Sequence, residues 1–433
     1  MSPLQSWNRL PNIAPDKIFT LTEHAIPLIE NAPHPLLAHG NGRSYGDVCL
    51  NDKGTLLHTH LLDRFISFDQ KNGILRCESG VTLQSILQLV VPHGWFLAST
   101  PGTQYATVGG ALANDVHGKN HHREGSFGHH VRAFELIRST GEVLLCSPDL
   151  NTDMFRATVG GLGLTGLLSW VEIQLIPVNN PWMWVESQRF SNLEQFWQLN
   201  KEAEQQWPYT VAWIDCLASG RSRGRGILFA GQHAANQTQL PSYKERSKGA
   251  PFDPPISLVN GLSLRSFNAL YYRQPVKPQG SLCHYAPYFY PLDAIQNWNR
   301  IYGHKGFYQY QCVLPPEVAR EATAQLLDAI AQSGQGSFLA VLKTFGSQAS
   351  VGMLSFARPG TTLALDFPNL GDRTLKLFNR LDAIVSEAGG ALYPAKDARM
   401  PASLFQSGFP EWERFSDFID PAFSSHFWQR VTL

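Results

Sequence analysis

The first part of the chain, residues 35–178, alternates short strand-like apolar runs with one longer periodic run. GILRCESGV, RAFELIRS, EVLLCS and LLSWVEIQLIPV have the composition and length of strands, whereas TLQSILQLVV has the three-to-four-residue apolar spacing of a helix. Glycine-rich turns separate these runs. The pattern predicts a mixed α/β region that ends at the proline-rich break after Val178.

Longer helical periods follow between residues 179 and 390. Helices are predicted for FSNLEQFWQLNKEAEQQW, for PPEVAREATAQLLDAIAQSG with its leading prolines and closing glycine, and for DRTLKLFNRLDAIVSEAGG with its glycine stop. The stretch from 240 to 280 is rich in Pro, Ser, Lys and Arg and only weakly periodic, which predicts a long mobile loop.

Composition excludes some classes of protein. Lys plus Arg and Asp plus Glu both number 35, and this balance argues against a nucleic-acid-binding protein. No apolar run approaches the roughly 18 residues of a membrane span, and the N-terminus lacks the pattern of a secretory signal. Six scattered cysteines without a CxxC pair suit free thiols. We therefore expect a cytoplasmic protein, with at most peripheral contact at the inner face of a membrane.

Three glycine-rich segments carry the candidate chemistry. They are AHGNGRSYGD at 38–47, PGT at 101–103 with TVGGALANDVHGKN at 107–120, and VGGLGLTG at 159–166. Glycines let the backbone turn tightly and direct several N–H groups at a phosphate. The first segment does not have the Rossmann G-x-G-x-x-G spacing. Each segment taken alone could also be a structural turn.

In this order, the three segments resemble the FAD-binding domain of the vanillyl-alcohol oxidase and p-cresol methylhydroxylase superfamily. Within it, GNGRSYGD, HGKNHH, YTVAWIDC, YFYPLDAIQNWNRIYG, FYQYQCVLP, LKTFG, LDFP and LYPAKDAR are similar to the family formed by the oxidase component of decaprenylphosphoryl-β-D-ribose 2′-epimerase. The resemblance covers nearly the whole chain. It implies an α+β two-domain flavoprotein. A p-cresol methylhydroxylase-type FAD-binding domain would contain residues 1–178, with 391–433 returning to it, and an antiparallel-sheet substrate domain would contain residues 179–390.

The resemblance also implies FAD held without a covalent bond. Many superfamily members link FAD to a histidine of the first loop, where this chain has Arg43, which can pair with a phosphate but cannot form that bond. A plain surface charge is the alternative for Arg43. The residues that match the family's cofactor site are Gly40, Asn41, Gly42, Arg43, Ser44, Tyr45, Gly46, Asp47, Gly102, Thr107, Val108, Gly109, Gly110, Asn114, His117, Gly118, Ile173, Tyr393 and Lys396.

Lys396, Gln311 and Tyr45 are the predicted catalytic residues. A lysine beside the flavin stabilises negative charge as it develops, and a desolvated lysine with a lowered pKa could accept the hydroxyl proton of the sugar. An ion pair between Lys396 and Asp397 at the surface is the alternative. The residues that match the family's substrate pocket are Gln309, Gln311, Lys343 and Tyr288. The alternating glutamines could instead lie on a solvated strand face, and Tyr288 could serve packing.

Five histidines lie close together in the sequence, at His117, His121, His122, His129 and His130. Histidines are common metal ligands. No cysteine accompanies them, however, and the flanking glycines suit a loop that faces a ligand, so we expect no metal. The resemblance places His117 against the cofactor.

The implied reaction is oxidation of a secondary hydroxyl of a sugar. The favoured substrate is polyprenyl-phosphoryl ribose, oxidised at C2 to the 2-keto sugar, and a separate NAD(P)H-dependent short-chain reductase would complete an epimerisation to arabinose. Ala364 stands where family members that react with nitroaromatic inhibitors carry a cysteine, which changes one pocket wall and leaves the substrate open. One alternative is an oxidase of a free sugar, alditol or sugar lactone. Another is a flavin-free binding or scaffold protein with the same fold.

Overall fold

The structure is a computed structural model that describes residues 4–22, 29–235, 240–244, 248–249, 253–255 and 257–432. Its strands are β1 Lys17–Thr20, β2 Leu36–His39, β3 Thr55–His58, β4 Phe65–Asp69, β5 Ile74–Glu78, β6 Trp95–Leu97, β7 Val131–Ile137, β8 Val143–Cys146, β9 Leu167–Pro177, β10 Trp182–Phe190, β11 Tyr209–Ile214, β12 Gly226–His233, β13 Lys248–Gly249, β14 Ser281–His284, β15 Ile295–Gln296, β16 Phe307–Leu314, β17 Ala340–Phe345, β18 Gly360–Pro368 and β19 Ala391–Leu392. Its helices are α1 Leu83–Val90, α2 Val108–Ala113, α3 His121–Glu124, α4 Thr152–Thr158, α5 Leu193–Gln206, α6 Gly261–Arg273, α7 Tyr285–Phe289, α8 Ala319–Ser333, α9 Asp372–Glu387, α10 Ala402–Gly408, α11 Trp412–Ser416 and α12 His426–Thr432.

Two small sheets form the N-terminal part. One is a parallel sheet in the order β1-β3-β2, and the other runs β4-β5-β9-β7-β8 with β6 also paired to β9. The predicted strands and the predicted helix α1 are confirmed, and Thr82 begins that helix by accepting a hydrogen bond from the backbone N–H of Ser85. Glycine loops connect these elements at one end of the sheets.

An eight-stranded sheet in the order β14-β10-β12-β11-β17-β18-β16-β19 forms the second part. Its pairings are antiparallel, as predicted from the resemblance. The three predicted helices are confirmed as α5, α8 and α9, and α8 ends at Gly334 with a positive φ of 67°. The α+β class is therefore confirmed. No helix in the described ranges is long and apolar enough to cross a bilayer.

The loop predicted over 240–280 is partly wrong. Residues 261–273 form helix α6, which Asn260 caps by accepting hydrogen bonds from the backbone N–H groups of Leu262 and Ser263. Residues 245–247, 250–252 and 256 of the predicted loop lie outside the described residues.

The chain passes from the first sheet region to the eight-stranded sheet between Pro177 and Trp182. It leaves that sheet through β19, whose residues pair with Cys312 and Val313 at the sheet edge. The domain limits proposed at residues 178 and 390 stay predictions. The last helix, α12, then packs beside the turn at Asp47–Cys49 that follows the first glycine loop.

A buried ion network joins the first loop to the C-terminal helix. The Asp47 carboxylate accepts hydrogen bonds of 2.9 Å from both Nε and Nη2 of Arg430 and lies 2.8 Å from Nδ1 of His426. Arg430 Nη2 also donates to Asp397 at 2.8 Å. Burial alone would raise the pKa of Asp47, but the hydrogen bonds from His426 and Arg430 outweigh it and hold that pKa below its usual value.

We expect Asp47→Asn to lower the free energy of unfolding by about 2–3 kcal/mol, because Arg430 loses a buried charged partner. The stabilisation is present at neutral pH and is lost as the pH falls through the lowered pKa of Asp47. Thermal unfolding of the variant should therefore depend less on acid pH than that of the parent. The exposed Asp149→Asn is the matched control. Equal unfolding temperatures for the parent and Asp47→Asn would contradict this role.

Candidate functional site

Three adjacent strands of the eight-stranded sheet turn one polar face toward a cavity. In the register, Gln309 lies opposite Asp366, Gln311 opposite Ala364, and Lys343 opposite Thr362. Residues two apart on a strand share a face, so this register collects the polar side chains on the same side. All of them line a cavity of about 620 Å³. The alternative of a solvated strand face is therefore wrong, and Gln311 is only 7% exposed.

The first glycine loop lies directly against the segment that carries Lys396. A Cβ added to Gly46 would lie 1.7 Å from the backbone oxygen of Asp397, so only glycine allows this approach. The backbone N–H of Tyr45 donates to the carbonyl of Ala395 at 2.9 Å. The two segments are thereby fixed side by side.

This contact brings Lys396 over an aromatic ring. Its Nζ lies 3.6 Å from the ring centroid of Tyr45, a cation–π arrangement. Burial lowers the pKa of Lys396 to about 8, against the opposing effect of the Asp366 charge. The alternative of a surface pair with Asp397 is wrong, because the Asp397 carboxylate accepts from Arg430 and from the backbone N–H groups at 399 and 400.

Asp366 is the buried carboxylate whose charge acts on Lys396. It is 2% exposed and accepts a hydrogen bond of 2.6 Å from Nε2 of Gln309. Burial raises the pKa of Asp366 to about 7, although the Gln309 hydrogen bond and the Lys396 charge both act to lower it. Asp366 and Lys396 thus influence each other's protonation near neutral pH.

A second lysine, Lys343, contacts His117. Its Nζ lies 2.8 Å from Nδ1 of His117 and donates to the carbonyl of Gly118 at 2.7 Å. Burial, and then the neighbouring charge of Lys119, hold the pKa of Lys343 well below its usual value. Burial and Lys343 likewise hold the pKa of His117 well below its usual value, so the imidazole is neutral.

The protonation of Lys343 fixes the hydrogen bonds around His117. Nε2 of His117 faces Nε2 of Gln311 at 3.1 Å, and that amide also donates to Oγ1 of Thr362 at 3.2 Å. A neutral His117 that accepts from Gln311 at Nε2 must carry its proton on Nδ1 and donate to Nζ of Lys343. With the amide nitrogen of Gln311 toward His117, this arrangement goes with a neutral Lys343, which is the form that burial favours.

Basic side chains outnumber carboxylates in the cavity lining. Its lining holds Arg43, Lys119, Lys343 and Lys396 against the carboxylates Asp293 and Asp366. No local sequence signal marks Lys119, Asp293 or Asp366 as site residues, although all three lie in segments that carry the family resemblance. Lys119 donates to the carbonyl of Phe289 at 3.2 Å, and burial lowers its pKa to about 8. An anionic ligand would stabilise the charged forms of these basic groups.

The glycine loops form the other end of the same cavity. A Cβ added to Gly102 would meet no atom within 4 Å, so this position opens onto the cavity. The Arg43 guanidinium lies 4.4 Å from the ring centroid of Trp7 and 5.1 Å from that of Tyr105. Arg43 is therefore half-buried between two rings, and the alternative of a plain surface charge is wrong.

Several buried polar atoms of the lining suit a bound polar ligand. Among the described residues, Nε of Arg43, Oγ of Ser79, Oδ1 of Asn114 and Oε1 of Gln309 have no hydrogen-bond partner. Buried polar atoms are normally paired. A cation held between two rings, small glycine walls and unpaired donors and acceptors fit a long cofactor that carries phosphates and a planar ring.

Most of the predicted site residues line the cavity. They are Gly40, Asn41, Gly42, Arg43, Ser44, Tyr45, Gly102, Thr107, Gly109, Gly110, Asn114, His117, Gly118, Gln309, Gln311, Lys343, Tyr393 and Lys396. Ala364 lies on the same wall. Their assigned roles toward cofactor and substrate stay predictions.

Five predicted site residues lie behind the lining. Gly46 and Asp47 join the first loop to the C-terminal segments, as described above. Val108 and Ile173 are buried in the core of the first sheet region. The Tyr288 hydroxyl donates to the carbonyl of Tyr209 at 3.5 Å, and the neighbouring Phe289 reaches the cavity instead. In this geometry, none of these five residues faces the cavity with a side chain.

The clustered histidines are occupied by backbone groups. His122 lies 2.9 Å from the carbonyl of Trp207, and His130 lies 2.8 Å from that of Glu124. Within the described ranges, no three His, Cys, Asp or Glu side chains come together as metal ligands would. Of the five histidines, His117 alone lines the cavity.

Comparison with known proteins shows which sequences this chain resembles. A family described as "FAD binding domain" matches residues 23–147. Decaprenylphosphoryl-β-D-ribose oxidase of Mycolicibacterium smegmatis is 34% identical over 93% of this chain and 90% of its own length. An uncharacterized protein of Streptomyces coelicolor is 32% identical over 82% of this chain and all of its own length. L-gulonolactone oxidase of Mus musculus is 25% identical over 40% of each chain.

We expect all of the FAD to leave the protein on acid precipitation. Arg43 occupies the position of the linking histidine, and burial raises the pKa of the cavity-lining Cys49 thiol to about 12, which keeps it from acting as a nucleophile. Absorbance of the supernatant after precipitation measures the released flavin. Flavin that stays with the pellet would show a covalent bond.

We expect Arg43→Leu to weaken FAD binding by about 10–100-fold, the loss expected for one charged hydrogen bond. Flavin fluorescence titration of the apo-protein gives the affinity. Arg221→Leu, which removes an exposed arginine, is the matched control and should bind FAD like the parent. An Arg43→Leu affinity within about threefold of the parent would leave Arg43 without a role in phosphate binding.

Proposed function

Because the chain belongs to the family of decaprenylphosphoryl-β-D-ribose oxidase and has FAD as its cofactor, we propose that it oxidises the C2 hydroxyl of a polyprenyl-phosphoryl ribose. The product is the 2-keto sugar. A separate NAD(P)H-dependent short-chain reductase would complete an epimerisation to arabinose. A lipid-linked substrate also implies peripheral contact with a membrane.

The observation that carries the proposal is one continuous cavity with two chemically different ends. Glycine loops and Arg43 line one end, and the polar sheet face with Lys343, Gln311 and Lys396 lines the other. The first end suits the phosphates of FAD. The second suits a sugar phosphate, because glutamine amides can bind hydroxyls and buried lysines can bind a phosphate.

Bound FAD would supply the acceptor for the hydride that leaves the carbon bearing the hydroxyl. The chain's own groups bind the sugar, take the hydroxyl proton and stabilise developing charge. Lys396 is the cation at this end, and its lowered pKa also allows it to hold or release a proton near neutral pH. Asp366 supports the charge of Lys396 and is assigned here as a positioning residue.

Oxidation of a free sugar or sugar lactone is the second candidate function. The similarity to L-gulonolactone oxidase favours it, although that similarity covers only 40% of the chain. Four basic side chains in the cavity lining, which an anion would stabilise in their charged forms, favour a substrate that carries a phosphate. The flavin-free scaffold is set aside, because FAD is the cofactor of this family.

Anaerobic reduction of the bound flavin tests the proposal. A short-chain polyprenyl-phosphoryl ribose should bleach the flavin, whereas free ribose, free arabinose and L-gulonolactone should do so far more slowly. Reduction of the product with borodeuteride should place deuterium at C2 of both ribosyl and arabinosyl products. Equal flavin reduction by a free sugar or the lactone would favour the second candidate.

We expect Lys396→Ala to slow flavin reduction by about 10²–10³-fold, as for removal of one group that stabilises charge in a transition state. Parent activity should fall as the pH rises through the lowered pKa of Lys396, because the cation is then lost. Asp366→Asn should move that fall to lower pH, since the Asp366 charge raises the pKa of Lys396. Lys396→Arg should remove the fall, because arginine stays charged.

Stopped-flow reduction at a series of pH values measures these changes, with flavin content checked first. Lys376→Ala removes an exposed lysine from α9 and is the matched control. If Lys396→Ala reduces its flavin within about threefold of the parent rate, the assignment of Lys396 as catalytic cation fails. A Lys396→Arg variant that is inactive at every pH would indicate proton transfer or geometry rather than charge.

A further inference from the structure

Helix α6 presents apolar side chains to solvent. Leu262 and Leu270 are 78% and 72% exposed, the highest values of any large apolar side chain in the described part of the protein. Leu258, just before the helix, is 54% exposed, and Phe267 is 37% exposed. Single exposed leucines are common on proteins, but four exposed apolar side chains within thirteen residues form a patch.

The orientation of the helix is fixed by its opposite face. Leu264 and Asn268 are buried, and Nδ2 of Asn268 donates to Oδ1 of the buried Asp215 at 2.8 Å. Residues 262, 266, 270 and 273 follow at helical spacing and lie on one side. Leu262 and Leu270 therefore point away from the protein because the buried contacts of α6 hold them there.

Between Asp253 and Asp293, the charged residues of α6 and of the chain on either side of it are all basic. Residues 254–292 contain Arg265, Arg273 and Lys277 but no Asp or Glu, in a chain whose net charge is zero. All three cations are exposed. Exposed leucines flanked by arginines on one helical face are the pattern of a helix that lies at the surface of an anionic bilayer. This charge complementarity favours a membrane over a second copy of the chain.

The patch lies outside a wall of the cavity. Leu264 of α6 and Val259 belong to the same buried cluster as Trp298 and Tyr45. Trp298 and Ile295 line the cavity, and Ile295 is itself 44% exposed. The buried face of α6 thus packs on residues that line the cavity, while its other face is open to solvent.

We propose that the exposed face of α6, formed by Leu262, Arg265, Leu270 and Arg273, docks together with the preceding Leu258 on an anionic phospholipid bilayer. The inference rests on the proposed function, because a polyprenyl chain resides in a bilayer and its sugar must reach the cavity. Docking inserts the leucines at the headgroup boundary and places the arginines among lipid phosphates. It is a peripheral contact of one helix.

Sedimentation of the FAD-bound full chain with vesicles tests this docking. The parent should bind vesicles of phosphatidylcholine with phosphatidylglycerol. Its affinity for vesicles of pure phosphatidylcholine should be lower by about tenfold or more, because the arginines need anionic lipid. The double variant Leu262→Ser with Leu270→Ser should lose about tenfold or more in vesicle affinity. Arg265→Glu with Arg273→Glu should lose affinity for the anionic vesicles alone.

Matched controls change exposed residues of the same types elsewhere. Leu145 and Leu150 are 46% and 48% exposed in the first sheet region, and Leu145→Ser with Leu150→Ser should bind vesicles like the parent. Arg221→Glu with Arg380→Glu is the charge control. Amide hydrogen exchange of the unmodified protein gives a second measurement, in which vesicles should protect residues 258–273.

The proposal is overturned if the parent ignores anionic vesicles, if the leucine control loses binding as much as the α6 variant, or if α6 gains no protection. Failure of the proposed function has a different signature. Flavin reduction by a short, water-soluble polyprenyl-phosphoryl ribose needs no vesicle and should be unchanged in the α6 variants. A protein that binds vesicles through α6 but is not reduced by that compound would keep the docking and lose the substrate.

Discussion

The site depends on the close approach of the first glycine loop to the segment after β19. Gly46 lies against the backbone oxygen of Asp397 with no room for a Cβ, and the N–H of Tyr45 donates to Ala395. Asp47 and Asp397 share Arg430 immediately beside this contact. Residues from opposite ends of the chain are thereby fixed, and Lys396 is placed over the ring of Tyr45.

The polar sheet face would be ineffective without that contact. Gln309, Gln311 and Asp366 are set by strand register alone, but the cation that acts on Asp366 comes from the turn at 394–396, outside β18. Burial lowers the pKa of Lys396, and the Asp366 charge raises it. Burial raises the pKa of Asp366, and the Lys396 charge lowers it. A change in loop packing at Gly46 would therefore alter protonation across the cavity as well as stability.

Local sequence signals predicted the helices and strands well, but they did not predict the tertiary contacts between them. Prolines before the first turn and Gly334 after the last predicted α8, and alternation placed Gln309 and Gln311 on one face. Contacts between residues far apart in the sequence could not be predicted. Lys343 contacts His117, which is 226 residues away along the chain, and no local pattern indicates that contact. Asp366 lies in LDFP, one of the segments that carry the resemblance, but its role could not be predicted. Its contact with Gln309 depends on the pairing register of β16 and β18, which the sequence does not show.

Helix α6 escaped prediction for a physical reason. A helix is recognised by apolar residues that gather on one face, but here Leu264 is buried while Leu262 and Leu270 point outward, so the periodicity cancels. The cap at Asn260 was present but had no amphipathic run behind it. A surface helix normally has apolar residues on its buried face alone. Apolar residues on the exposed face of α6 do not contribute to the core, so they need an explanation other than folding.

Charge and hydrogen bonding around His117 are linked by the number of available protons. With Lys343 neutral, Nδ1 of His117 donates to it and Nε2 accepts from Gln311. An anion that restores the charge of Lys343 takes away its lone pair, so Nδ1 must accept and Nε2 must donate. Gln311 can then meet His117 only through its amide oxygen, and its amide nitrogen turns elsewhere. If Lys343 binds the substrate phosphate as proposed, that binding would change the hydrogen bonds that Gln311 can offer to a sugar, and the two contacts would be coupled through His117.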